Sequence, residues 1–172
     1  PGHREAGPEP KRMARHTQFA YAATMMAIQD AGLTISESDF PSPTPVVMGV
    51  STSAMDIIEH SIHDAELRGS RAMSPLALGA LTPQAVANVI ADRIGRQADA
   101  ATVSSACPSG LDAVVLAASM IESGEAELAI AGGTDAPIVK HTFAAFTAAG
   151  LCSCANDAPE RASRPFDLMR DS

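Results

Sequence analysis

The chain has 172 residues, enough for one domain with a sizeable core. Its formal net charge of -8 argues against non-specific binding to nucleic acid. No apolar run approaches the length of a membrane span, and the polar, proline-rich start is unlike a secretory signal. Three cysteines do not make a disulfide framework, which predicts a reduced, cytoplasmic setting.

Residues 1–10 are rich in Pro, Gly and charge and read as a mobile entry segment ahead of a domain spanning 11–172. Met13–Ala31 reads as a helix. Phe19, Ala22, Ala23, Met26 and Ala27 share its apolar face, and Gly32 stops it. Thr34–Pro45 is loop, and Val46–Val50 is a continuous apolar, buried strand. Met55–Leu67 is a helix whose Asp56, Glu59, His60, His63, Asp64 and Glu66 read as a solvated face rather than a metal site. Thr82-Pro83 predicts a helix start, with Thr82 as N-cap, for a helix ending at Ile94 and Gly95. Ala100–Ser105 is a strand and Ser109–Ser123 a helix, with Leu111, Val114, Val115 and Ala118 on one side. Glu127–Ala131 is a strand, and Gly132-Gly133 is expected to turn the chain sharply after it. Phe143–Ala149 is a short helix, and Asn156–Arg164 is a polar loop. Strands alternating with helices predict an α/β fold with a largely parallel central sheet.

The run Ser104-Ser105-Ala106-Cys107-Pro108-Ser109-Gly110 carries the chemistry. A strand runs into a lone thiol just ahead of a helix. Unpaired N–H groups and the positive dipole end favour negative charge there, and the thiolate is the nucleophilic form of cysteine. A buried structural cysteine is the other reading of the same position. Cys152-Ser153-Cys154 is too closely spaced for the common zinc patterns.

Three runs occur in order: the one around Cys107, Ala131-Gly132-Gly133-Thr134-Asp135, and Ser163-Arg164-Pro165-Phe166-Asp167-Leu168-Met169-Arg170-Asp171. Together they resemble the β-ketoacyl-[acyl-carrier-protein] synthases of the thiolase superfamily. That family reads roughly T-A-C-x-S/T-G at the nucleophile, then A-G-G-x-E/D, then S-R-P-F-D-x-x-R-D-G. The likeness runs from about Arg12 to Asp171 and covers the first half of such an enzyme. The family's opening strand is not found in it.

The resemblance implies the N-terminal half of a five-layer α-β-α-β-α fold. It implies decarboxylative Claisen condensation of an acyl-enzyme with a malonyl-carrier protein, in fatty-acid or polyketide synthesis. Cys107 matches the nucleophile, and its backbone N–H would form half of an oxyanion hole. Phe146 matches a position lining the acyl channel, although a core aromatic reads equally well. Lys11, Arg12 and Arg15 form a basic cluster where the family docks its acidic carrier protein, or an ordinary solvated helix start. The implied partners are an acyl carrier protein and a second ketosynthase subunit, identical or related. No cofactor, metal, nucleic acid or membrane is implied.

The family's two catalytic histidines lie in its second half. None of His3, His16, His60, His63 and His141 sits in a comparable motif. A same-fold alternative is a thiolase-like enzyme acting on CoA thioesters, against which the S-R-P-F-D run speaks. Another is a non-catalytic partner subunit, against which Cys107 speaks. Pro108 replaces the usual small residue, Cys152-Ser153-Cys154 replaces Leu-Ser-Thr, and Gly95-Arg96-Gln97-Ala98-Asp99 replaces a Gly-Pro stretch. Arg164 and Asp167 are expected to form a structural ion pair, and His141 to be a surface or structural residue.

Overall fold

The computed structural model describes residues 13–35, 39–95 and 98–171. The entry segment, Lys11 and Arg12 lie outside the described residues. The chain divides into two compact units, Pro1–Ala136 and Pro137–Ser172.

The first unit is built on a three-stranded parallel sheet in the order β2-β1-β3. Strand β1 (Thr44–Gly49) lies in the middle and is buried along its whole length. Strands β2 (Ala98–Val103) and β3 (Ile130–Gly133) flank it and are partly exposed. In register, Val46 faces Ala100 and Ile130, and Gly49 faces Val103 and Gly133. All three expected strands are present, but the third starts only at Ile130 and runs on through Gly132-Gly133, which pair with Met48 and Gly49 instead of turning the chain. Parallel strands need long crossovers, and helices supply them here.

Alternation along β1 divides the core in two. Val46, Met48 and Val50 pack with Ala20 and Ile28 of α1 (Arg15–Asp30) and with Val86, Ala87, Ile90, Ala91 and Ile94 of α4 (Ala85–Ile94). Val47 faces the other way, onto Ala113 and Ala117 of α5 (Ser109–Glu122). Each fully buried side chain of this size stabilises the fold by about 1.5–3 kcal/mol. The remaining helices of this unit are α2 (Met55–Arg68) and α3 (Pro75–Leu81). On α2, His60 reaches Asp64 at 3.5 Å and His63 is exposed.

Three expectations are corrected. Helix α1 buries His16, Thr17, Ala20, Thr24 and Ile28, while Phe19, Ala22, Ala23, Met26 and Ala27 are exposed. A polar stripe can face the core because Thr24 satisfies its own hydroxyl on the Ala20 carbonyl at 2.8 Å. Helix α5 likewise turns inward its small residues Ser109, Ala113 and Ala117. Its larger ones, Leu111, Val114 and Val115, are exposed, as is Ala118. Small side chains allow the helix to lie close to the sheet, so size rather than hydropathy selected the buried face. Thr82 is no N-cap. It ends α3, an unexpected helix, and its hydroxyl donates to the Gly79 carbonyl. Helix α4 starts later, after Gln84.

In the second unit, α6 (Lys140–Ala148) is followed by a polar stretch with a 3-10 turn at Pro159–Arg161. Asp171 closes this unit on itself by accepting the Cys154 backbone N–H at 2.8 Å. A hydrogen bond from Ser153, that backbone bond and the Arg164 charge hold its carboxyl below the ordinary value. Asp167 does not pair with Arg164 within 4.0 Å. Instead its Oδ1 accepts the Met169 N–H at 2.7 Å, turning the chain locally.

His16 is fully buried, and both ring nitrogens lack a partner among the described residues. Burial pushes its imidazole below the ordinary 6.5, against the opposing pull of Asp56 and Asp135. The unfolded chain therefore takes up a proton that the folded chain resists. The stability tied to neutral His16 is complete above pH 6.5 and is lost as pH falls from there toward the lower folded value. Denaturant midpoints between pH 8 and 5.5 are expected to fall for the wild type and to flatten for His16→Leu. Parallel slopes for the two proteins would remove this role.

Candidate active site

The C-terminal ends of parallel strands are where open α/β sheets place their sites. All three strand ends converge here on the first turn of α5. Strand β2 ends at Val103, and Ser104–Pro108 then turn the chain into α5 at Ser109. Cys107 lies in that turn, two residues ahead of the helix, with an exposed free thiol. The reading of Cys107 as a buried structural residue is thereby corrected: its thiol is exposed.

Glycines bring the turn onto the sheet. A Cβ on Gly49 would lie 2.2 Å from the Ser109 carbonyl oxygen and 2.5 Å from the Gly110 nitrogen. A Cβ on Gly133 would lie 2.7 Å from the Gly110 Cα, and one on Gly110 3.2 Å from the Gly133 Cα. The ends of β1 and β3 thus touch the helix backbone directly. Sequence reasoning did not anticipate Gly49, whose only signal was a glycine near the end of an apolar strand.

The Gly132-Gly133-Thr134-Asp135 run ties down the neighbouring loops. The Thr134 N–H donates to the Gly49 carbonyl at 3.0 Å, and its hydroxyl donates to the His16 carbonyl at 2.8 Å. Asp135 accepts from the Ser51 N–H at 2.9 Å through Oδ2. Its Oδ1 accepts from the Thr52 N–H and hydroxyl, each at 2.7 Å. Both carboxylate oxygens are spent on the loop after β1, which makes Asp135 a clamp rather than a proton carrier. Charge-assisted bonds of this kind are the stronger ones.

Arg15 opens α1 and is exposed. Its backbone N–H donates to Asp56 Oδ2 at 2.9 Å, its guanidinium donates to Gln18, and the same group lies 4.4 Å above the Phe19 ring. Of the basic cluster it alone is described. Phe146 is half-buried on α6 in the second unit, where its carbonyl accepts the Leu151 N–H at 3.0 Å. His141 is exposed at the start of the same helix. Among the described residues no group of three or more His, Cys, Asp or Glu could hold a metal ion.

A family model described as "Beta-ketoacyl synthase, N-terminal domain" matches residues 3–171. The chain is 38% identical over 167 residues to "Putative polyketide beta-ketoacyl synthase 1" of Streptomyces halstedii, covering 94% of this chain and 39% of that protein. It is 32% identical over 165 residues to "3-oxoacyl-[acyl-carrier-protein] synthase 2" of Vibrio harveyi, again covering 94% and 39%. Among solved structures, it superposes with a TM-score of 0.80 and 26% identity on AntDE:AntF, a type II polyketide acyl-carrier protein in complex with its ketosynthase bound to the hexaketide. That superposition covers 92% of this chain and 40% of the other. The chain thus spans about two fifths of the length of the curated relatives it matches.

The glycine contacts set a sharp contrast inside one motif. Gly49→Ala and Gly133→Ala are each expected to cost about 1–3 kcal/mol, because backbone must move to admit the methyl group. Gly132→Ala, whose Cβ would meet nothing nearer than the Met48 Cε at 3.8 Å, should be nearly neutral. Urea denaturation of the three variants checks this. Equal costs at 132 and 133 would mean the close approach is not what these glycines serve.

Proposed function

The chain belongs to the β-ketoacyl synthase family through its N-terminal domain, and from that premise we infer that it carries the nucleophile of a decarboxylative condensing enzyme. One observation carries the reading. An exposed thiol, Cys107, stands on a strand-to-helix turn at the C-terminal ends of the parallel strands. The match continues through residue 171 and so includes the S-R-P-F-D run, which favours carrier-protein substrates over the CoA thioesters of a thiolase. A cysteine at position 107 favours an enzyme over a non-catalytic partner subunit.

The reaction has two halves. The Cys107 thiolate attacks the carbonyl carbon of a carrier-bound acyl thioester. The tetrahedral oxyanion collapses, the carrier thiolate leaves and takes a proton, and the acyl group stays on Cys107. A malonyl-carrier protein then loses carbon dioxide, and the carbanion left behind attacks the acyl-cysteine carbonyl. A carbon–carbon bond forms, and the Cys107 thiolate leaves. Covalent catalysis divides one difficult transfer into two easier ones. The exposed Cys107 turn offers a backbone N–H to the oxyanion in both halves.

No described histidine lies in the turn around Cys107. His16 is sealed in the core, and His60 and His63 lie on α2. The decarboxylation machinery belongs to the part of the relatives that this chain does not span. The outward face of α5 supports the same division. A helix that is apolar on both its sheet side and its solvent side is one that packs on both. Leu111, Val114 and Val115 would seat there against the remainder of the enzyme, and a second subunit would complete the assembly. Lys11, Arg12 and Arg15 would steer the acidic carrier protein, and Phe146 would line the acyl channel.

In the native gene product, Cys107→Ala should abolish acylation by a carrier-bound thioester, by about three orders of magnitude or more. Cys152→Ser and Cys154→Ser should leave it intact. Mass spectrometry of the acylated peptides locates the adduct, and an acyl group on Cys152 or Cys154 would sink the assignment.

Reversing Lys11, Arg12 and Arg15 together to Glu should slow acylation by the carrier-bound thioester about tenfold at low salt, and less at high salt. A small soluble thioester should react at the unchanged rate. Stopped-flow acylation with both substrates separates the cases. Equal slowing would make the cluster structural, and no slowing would make it solvated surface.

A further inference from the structure

The turn that presents Cys107 keeps one ordinary backbone bond, from the Ser109 N–H to the Ala106 carbonyl, and is otherwise weakly held. Ala106, beside the thiol, sits at φ +65, a left-handed conformation that L-residues other than Gly, Asn and Asp seldom adopt. Pro108 has no N–H, so the ordinary turn bond from residue 108 back to the carbonyl of Ser105 cannot form. Residues 104–108 are all exposed, so packing does not hold them either.

One buried hydroxyl answers all three deficits. Ser109 is 3% exposed. Its Oγ accepts the Ser105 N–H at 2.9 Å and donates to the Ala106 carbonyl at 2.5 Å. The Ser109 N–H also donates to the Ala106 carbonyl, at 3.1 Å. A second strut runs outside the first, where the Ser105 hydroxyl donates to the Asp112 carboxylate one turn into α5. The backbone of Ser109 is itself fixed against Gly49. The hydroxyl therefore links the strained turn to the close backbone contact between Ser109 and Gly49.

We propose that Ser109 is a positioning residue: its side chain closes the turn that Pro108 leaves open and holds Ala106 left-handed, which fixes where the Cys107 thiol points. The inference rests on the nucleophile reading and deepens it. Reacting atoms must meet within a few tenths of an ångström, so a loosened turn slows the chemistry without unfolding the protein.

The test uses the native gene product and one internal ratio, the alkylation rate of Cys107 by iodoacetamide divided by that of Cys152 and Cys154. Acylation of Cys107 by a thioester is followed beside it. Ser109→Ala should lower the ratio and the acylation rate about tenfold, the size of one lost hydrogen bond. General destabilisation would instead change the alkylation of all three thiols together. Ser109→Thr, which keeps the hydroxyl, should restore both readings. Ala106→Gly in the Ser109→Ala background should also recover most of the loss, because glycine adopts the left-handed conformation without help. If Ser109→Ala does not fold, a folded and reactive Ala106→Gly/Ser109→Ala double variant supports the proposal, and an unfolded one overturns it. An unchanged ratio in Ser109→Ala, or equal loss in Ser109→Thr, overturns it while leaving Cys107 as nucleophile. A wild-type ratio near one removes both.

Discussion

Backbone meets backbone where Gly49, Gly110 and Gly133 come together, and the rest of the first unit is arranged around that contact. No side chain separates the ends of β1 and β3 from the first turn of α5. The helix consequently lies low on the sheet, and only small residues fit beneath it. Ala113 and Ala117 follow from that spacing, as does the outward exile of Leu111, Val114 and Val115. Close approach at one end of the helix has dictated which face is buried along its length.

The same contact gives the thiol a fixed base. Cys107 is exposed and its turn is strained at Ala106, yet the residues on either side are anchored. Strand β2 ends in register with Gly49, and Ser109 is wedged against Gly49. A reactive group on a turn of this kind is accessible without being loose, which is what nucleophilic attack requires. The strain is tolerated because its surroundings over-determine it.

Around this base, polar groups are used as fasteners. Asp135 spends both oxygens on the loop after β1, and Thr134 joins β1 to α1 through backbone carbonyls. A carboxylate beside a glycine pair at a strand end is easily read as an acid or base. Its hydrogen bonds make it a strut. The orphaned ring of His16 is the converse case, a titratable side chain placed in the core whose desolvation outweighs the pull of Asp56 and Asp135.

Local pattern was enough for much of this. Val46–Val50, Ala100–Ser105 and Glu127–Ala131 announced three strands because continuous apolar or β-branched runs have few other uses. The Ser105–Gly110 run marked the thiol because a strand, a small-residue turn and a helix are readable from neighbouring residues alone. What packs against what was not readable. Hydropathy assigned Phe19 and Met26 of α1, and Leu111 and Val114 of α5, to the core, and the fold exposes all four. The roles of Gly49, Ser109 and Asp135 were equally hidden. Each depends on a partner elsewhere in the chain, Asp135 on Ser51 and Thr52, more than eighty positions away. Sequence determined the three strands, most of the helices and the Cys107 thiol's place between two of them, because those depend on local dihedrals and periodicity. Tertiary structure alone decided the buried faces and the fastening of the site, because distances between remote backbones set both.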